Sequence, residues 1–274
     1  MSVAAVIQLA SGPNVEANLH ETERLIGEAV GAGAQLIVLP ENFALMGMTE
    51  MDKVKVREHP RAGRIQGFLS RQAKNSGVWI VGGTVPLECP DPRKVYSACL
   101  LFDDKGEQVA RYDKIHLFDV KLPASGESYN ESATIMSGDR VVVCPTPFGK
   151  MGLAVGYDLR FPELFRRMLD DGVELVALPS TYTALTGKAH WESLIRARAI
   201  ENLTFVMAAA QGGYHVNGRE THGDSMIVDP WGHVMERRDH GPGVVMAELS
   251  HAQLESTRRN FPTIKHRRLS PEVA

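Results

Sequence analysis

The stretch "GLAVGYDLRFPEL", residues 152–164, decides how this chain folds. Its first residues are small and apolar, which suits a strand buried on both faces. A tight turn follows at Gly156-Tyr157-Asp158. Pro162 then stands where helices accept proline, at the first position, where no amide donor is needed. Leu164, Phe165, Met168 and Leu169 recur on one helical face, and Gly172 closes the run. A strand feeding directly into a helix is the joint from which α/β folds are built. At that joint an α/β enzyme often places a reactive side chain, yet residue 156 is glycine. Two readings stand: a turn that needs positive φ, or a catalytic elbow without its nucleophile.

Outward from this joint the alternation continues. "VAAVIQLA" reads as a strand, followed from about Asn14 by a helix with Val15, Leu19, Ile26 and Val30 in register and Thr22 filling the gap. "QLIVLP" is a buried strand, "RAGRIQGFLSRQAKNSG" a helix with a glycine stop, and "VWIVGGTV" and "VYSACLLFDD" are strands. "DDKGEQ" has hairpin chemistry, and "VARYDKI" is the returning strand. Residues 117–140 read as irregular. "VVVCPT", "KMGLAVG", "VELVALP" and "TFVMAAAQ" are strands, with "AHWESLIRARAIEN" (189–202) a helix between the last two. "SMIVDPWGHVMERR" is a hairpin, "GVVMAELS" a strand, and a short helix follows from about His251. Apolar runs such as "LIVLP" and "LVALP" demand cover on both faces, while the hairpins exclude a purely parallel sheet. The pattern predicts one α/β domain over residues 1–274, with helices outside a mixed sheet or outside two stacked sheets. A tail is read at about 262–274.

Bulk properties exclude several functions. The 274 residues are 43% hydrophobic and 23% charged, with net charge −3, so no electrostatic footprint for nucleic acid or an anionic membrane is present. Cys89, Cys99 and Cys144 are too few for a disulfide framework, which suits a reducing compartment. "MSVAAVIQLASGP" lacks a basic leader region and reads as a first strand. No apolar run approaches the roughly 20 residues that span a bilayer. The expectation is a cytoplasmic protein. "HETER" carries Arg24 where a zinc helix needs its second histidine, and "TGKAH" lacks the upstream glycine of a phosphate loop. His190, His215 and His222 are scattered, so no metal site is expected.

Three strand ends stand out. "QLIVLP" delivers Glu41, "VARYD" delivers Lys114, and "MGLAV" delivers Gly156. Ligands in open α/β sheets gather outside the carboxyl ends of strands, so the three are expected to face one cleft. Singly, Glu41 also reads as a turn residue, Lys114 as a solvated lysine and Gly156 as a plain turn.

Together "LPENF", "YDKIHLFDV", "GLAVGYDLRFPELFRRM", "LPSTYT", "GKAHWESLIRARAIEN", "AAAQGG" and "GDSMIVDPWG" resemble the nitrilase superfamily of carbon–nitrogen hydrolases over nearly the whole chain. Within it the chain is most similar to the Nit branch and its deaminated glutathione amidase members, through "TGKAHWESLIRARAIE" and the closing "HRR". The resemblance implies an αββα sandwich that dimerises into a larger one, and a cofactor-free Glu–Lys–Cys site. Glu41 is then the general base, Lys114 the cation beside the reacting carbonyl and Glu131 a second carboxylate. The Tyr157 N–H completes the oxyanion site. Selectivity falls to the polar groups around Thr181 and Tyr182, to Arg160 or Lys121, and to the loop at 117–130. Arg160 also reads as a structural ion-pair partner. The nucleophilic cysteine of the pattern falls on Gly156, and Cys89, Cys99 and Cys144 read as packing residues.

The implied function is an amidase scaffold for a small ω-amide acid, with deaminated glutathione favoured and short α-keto acid amides as the alternative. Without its thiol the chain is expected to be inactive or nearly so. The glycine is either a substitution that lets the site hold an uncleaved amide, or the natural residue of a non-catalytic small-amide-binding protein. The intact remainder of the site favours the first. "KHRR" (265–268) reads as a solvated tail, with packing at a dimer interface as the alternative.

Overall fold

The computed structural model describes residues 2–123 and 126–269. In chain order the elements are β1 (Ser2–Gln8), α1 (Val15–Gly31), β2 (Leu36–Val38), α2 (Asp52–Lys55), α3 (Arg64–Ser76), β3 (Trp79–Val81), β4 (Val85–Glu88), β5 (Val95–Phe102) and β6 (Gln108–Asp113). There follow β7 (Asp119–Leu122), β8 (Glu127–Asn130), β9 (Val143–Thr146), β10 (Gly149–Leu153), α4 (Pro162–Asp170), β11 (Leu175–Ser180), α5 (Ala184–Asn202) and β12 (Phe205–Ala210). The chain closes with β13 (Gly212–Tyr214), β14 (Glu220–His222), β15 (Ser225–Val228), β16 (Val234–Arg238), β17 (Gly243–Leu249) and α6 (His251–Asn260).

Two mixed sheets stack. One runs β17-β1-β2-β3-β5-β4 with β6 on β5, and the other runs β16-β15-β12-β11-β10-β9. Each has a parallel centre, β1-β2-β3 in one and β10-β11-β12 in the other, with antiparallel strands around it. The side-chain period of two sorts the core. Ala4, Val6, Leu36, Val38 and Val81 pack into one cluster with the second sheet. Their alternates Ala5, Ile7, Ile37, Leu39 and Ile80 pack with Leu25 and Ile26 of α1 and with Phe68 and Leu69 of α3. Phe165 and Met168 of α4 and Trp191 and Ile195 of α5 cover the second sheet. The layers are therefore α, β, β, α, one of the arrangements expected from the sequence. Each buried Leu, Ile or Phe contributes about 1.5–3 kcal/mol, and a one-residue slip in β1 would turn its whole inner face toward the helices.

The chain departs from the sequence reading in several places. The run "VWIVGGTV", read as one strand, is split into β3 and β4, and the short α2 has no counterpart in that reading. Residues 117–140 contain the hairpin of β7 and β8, in which Val120, Leu122 and Tyr129 alternate with exposed polar residues. Only half of that ribbon meets protein, so its apolar period is faint. α5 begins at Ala184, five residues before the predicted start at 189, capped by the Thr183 hydroxyl on the Thr186 amide. Gly187 sits inside that helix because a Cβ there would collide with the His222 ring. Finally, β13 and β14 form a small hairpin at the mouth of the molecule. Of the predicted C-terminal tail, Thr263–His266 forms a 3-10 turn, Arg267 pairs with Asp170 at 2.8 Å, and residues 270–274 lie outside the described residues. The "KHRR" segment is thus tethered to the end of α4 through Arg267, while Lys265, His266 and Arg268 are exposed.

Candidate active site

Four strands release the chain at one end of the sandwich, and the segments beyond β2, β6, β10 and β11 line a single cleft. Beyond β2, Glu41 is buried with 4% of its surface exposed. Its carbonyl accepts from the Thr181 hydroxyl and from Gln211 Nε2, both at 3.1 Å. Asn42 follows with φ 60°, its amide N–H on Thr84 Oγ1 at 2.9 Å and its Nδ2 on Thr181 Oγ1 at 3.1 Å. Asparagine tolerates this left-handed backbone better than most residues. The carboxylate of Glu41 is therefore aimed by a backbone that three side chains hold.

Lys114 follows β6 and is 3% exposed. Its ammonium donates to Glu41 Oε1 at 2.8 Å and to both oxygens of Glu131, at 2.8 and 2.9 Å. Glu131 also accepts from the Phe118 amide at 2.7 Å. The β7–β8 hairpin makes this possible, because its register sets Asp119 opposite Asn130 and brings Phe118 and Glu131 to its open end. Two carboxylates around one ammonium carry a net charge of −1 when all are ionised. Burial lifts the Glu41 carboxyl above the ordinary carboxylate range; Lys114 opposes that, and Glu131 adds to it. Burial alone would lower the Lys114 ammonium, but Glu131 and Glu41 outweigh it and hold its pKa above the usual lysine value.

Gly156 begins the 3-10 turn Gly156–Arg160, with φ 50°. A Cβ built on it would lie 2.6 Å from Glu41 Oε2, and its three nearest atoms would all belong to the Glu41 carboxyl group. Any side chain at 156 would therefore point at Glu41. Tyr157 stands in the first turn of that helix, where backbone N–H groups lack intrahelical acceptors. Its ring packs edge-on to Phe118 and Phe161.

Asp158 locks the turn to the lysine strand. Fully buried, it accepts from Tyr112 OH at 2.7 Å, from His116 Nδ1 at 2.7 Å, from the His116 amide at 3.0 Å and from the Val155 amide at 2.9 Å. Tyr112 OH in turn accepts from the Ile115 amide at 3.3 Å. These bonds flank Lys114 on both sides and fix its distance from Gly156. In the sequence Asp158 reads only as a turn residue, because its donors on Tyr112 and His116 lie more than forty positions away.

Glu41, Lys114, Glu131, Tyr157, Thr181 and Tyr182 all border the cleft, and Gly156 lies buried beneath Glu41. Arg160 lines it too, but among the described residues it has no ion-pair partner. Its guanidinium contacts His190 Nδ1 at 3.1 Å and lies over the rings of Tyr157 and Tyr182. Lys121 is exposed on β7 and does not line the cleft. Cys89, Cys99 and Cys144 are free thiols away from it. Burial, then the charge of Asp158, pushes the Cys99 thiol far above its ordinary value, which keeps it unreactive. His215 and His222 have their own partners, Ser11 and Thr221 for the first and Asp224 for the second.

The cleft opens to solvent, and its wall mixes charged, hydroxyl-bearing and aromatic side chains, as small-molecule sites do. Among the described residues no helix is long and apolar enough to cross a membrane.

Comparison with known proteins gives a consistent result. Residues 3–259 match the family model for carbon-nitrogen hydrolases. A deaminated glutathione amidase of Synechocystis is 41% identical over 268 residues, covering 97% of each chain. Among solved structures, the NitFhit protein of C. elegans superposes with a TM-score of 0.90 at 32% identity, covering 97% of this chain and 65% of that one. Nit3 of Saccharomyces cerevisiae, a member of branch 10 of the nitrilase superfamily, superposes with a TM-score of 0.87 at 29% identity, covering 98% and 97%.

Proposed function

This chain belongs to the carbon-nitrogen hydrolase family, and from that premise we propose that it is an amidase scaffold for a small ω-amide acid whose nucleophile position is Gly156. The observation that carries the reading is the direction of that position: a side chain on 156 would meet the Glu41 carboxyl group first. A cysteine there would have its general base in contact. The name of the Synechocystis relative favours deaminated glutathione as the amide.

In the thiol-bearing form of such a site, Glu41 takes the thiol proton while sulfur attacks the amide carbon. The charge that develops on the carbonyl oxygen is met by Lys114 and the Tyr157 N–H. Collapse expels ammonia, which carries away the proton from Glu41. Water, deprotonated by the same carboxylate, then releases the acid and restores the thiol. Glu131 keeps the ammonium oriented through two short bonds. The raised Glu41 pKa suits a group that must both accept and return a proton.

With glycine at 156 the covalent half of this cycle has no sulfur. Removing the nucleophile from a serine protease costs about 10⁶ in turnover. The chain as written therefore binds an acid amide and turns it over slowly or not at all. The same reading carries one domain over residues 1–274, a homodimer that extends the sandwich, and a cytoplasmic location. Gly156→Cys, assayed for ammonia release from deaminated glutathione and from a short α-keto acid amide, tests it. The variant should release ammonia orders of magnitude faster than the parent, and the faster substrate names the class. Equal rates from the glycine chain would refute the thiolate scheme. A second reading, a non-catalytic binding protein, draws on the same glycine. It predicts tight calorimetric binding of an intact amide, and no activity from Gly156→Cys.

A further inference from the structure

Three buried side-chain polar atoms lack a hydrogen-bond partner among the described residues: Thr134 Oγ1, Asn202 Oδ1 and Tyr182 OH. Tyr182 is the one of these three residues that lines the cleft. It is 5% exposed, with its ring against Trp191, the centroids 4.9 Å apart. A buried hydroxyl with nothing to bond destabilises the fold, so an orphan at a cleft wall points to a group supplied by a ligand. Burial raises its pKa to about 12, so the phenol keeps its proton at neutral pH and has a hydrogen to donate.

The neighbouring charge says what kind of acceptor would come. Arg160 lies over the Tyr182 ring, with Cζ 5.1 Å from its centroid. The other cations of the cleft wall, Lys53 and Arg219, both pair with Glu50. Lys114 is held by Glu41 and Glu131. Arg160 has no carboxylate among the described residues and spends one contact on His190. A guanidinium without an anion beside a hydroxyl without an acceptor makes a pair of donors with complementary demands. One carboxylate satisfies both, with one oxygen on each.

We propose that the Tyr182 hydroxyl is a substrate-selecting hydrogen-bond donor, which together with Arg160 takes the free carboxylate of an ω-amide acid bound with its amide toward Glu41 and Lys114. The inference rests on the acid-amide reading above and adds the group that distinguishes acid amides from plain ones. A site built to bond an oxygen rejects analogues lacking it more strongly than an apolar pocket rejects an extra one.

The test is Tyr182→Phe, measured by calorimetry on the Gly156 chain with two probes. One is glutaramate; the other is the same amide with the carboxylate replaced by an isopropyl group. The variant should bind glutaramate about ten- to a hundredfold more weakly. Its affinity for the isopropyl amide should be unchanged or better, and its urea midpoint unchanged or higher, because an unpaired buried hydroxyl is gone. A tyrosine that only supports the fold would instead lower the midpoint and weaken both probes alike, which overturns the proposal. Unchanged glutaramate affinity in Tyr182→Phe overturns it too, and leaves the acid-amide reading standing. Failure of glutaramate to bind the parent chain sinks that reading and this inference together.

Discussion

Replacing Lys114 by methionine tests the electrostatics of the site without any need for turnover. The ammonium lies 2.8 Å from Glu41 Oε1 and 2.8 Å from Glu131 Oε1. At an effective dielectric constant of about 20, each such contact is worth roughly 6 kcal/mol before desolvation is subtracted. Desolvation of three buried charges offsets most of that, and breaking a buried pair from one side costs about 3–5 kcal/mol. In Lys114→Met the two carboxylates flank a neutral side chain, with no countercharge between them. The influence that opposes burial at Glu41 is then gone, so its carboxyl rises further and one proton is shared across the pair. The sign follows from proton counting. A carboxyl whose folded pKa exceeds its unfolded value of about 4.3 binds more protons when folded, so stability falls as pH rises from the unfolded toward the folded value. In the parent, Lys114 has a raised pKa, so its contribution is fully present below about pH 10.4 and is lost only above it. Urea unfolding should therefore show Lys114→Met about 3–5 kcal/mol less stable than the parent at pH 8, with a smaller deficit at pH 5. Adding Glu131→Gln should recover part of the loss at pH 8. A deficit below about 1 kcal/mol that does not change with pH would refute a charged, buried triad.

Other outcomes follow from named contacts. Gly156→Ala and Gly156→Cys both place a Cβ at φ 50° within 2.6 Å of Glu41 Oε2, so each should lose about 1–3 kcal/mol in urea unfolding, and only the cysteine should gain ammonia release. Asp158→Ala strands the Tyr112 hydroxyl and the Val155 and His116 amides; it should cost about 3–5 kcal/mol and, in the Gly156→Cys background, lower kcat by loosening Lys114. Burial depresses the His215 pKa below its usual value, so its contribution is present above about pH 6.5 and is lost as pH falls through the folded pKa. His215→Gln should flatten the acid limb of the stability profile by up to about 1.4 kcal/mol per pH unit, and an unchanged limb would remove His215 as its source.

Much of the cleft is legible in the sequence because strand ends are. An apolar run such as "QLIVLP" must be buried, its carboxyl end must emerge at the ligand edge, and Glu41 is what emerges. The same holds for Lys114 and for the turn at Gly156. Glu131 is not legible this way: it follows a ribbon whose polar face hides its period, and only the resemblance to a family pointed to it. Arg160 reads first as a structural ion-pair partner, whereas it lines the cleft, since nothing local says which side of the turn it faces.

The alternation of elements, the double burial of the central strands and the absence of a thiol at residue 156 can all be read along the chain. Those are properties of period, composition and identity. Only the folded arrangement sets Glu41 Oε2 in the space a side chain on 156 would enter, ties Tyr112 and His116 to the turn through Asp158, and leaves the Tyr182 hydroxyl without a partner among the described residues. Each depends on angles between segments far apart in the chain, and hydrophobic periodicity carries no record of where a buried polar atom finds its partner.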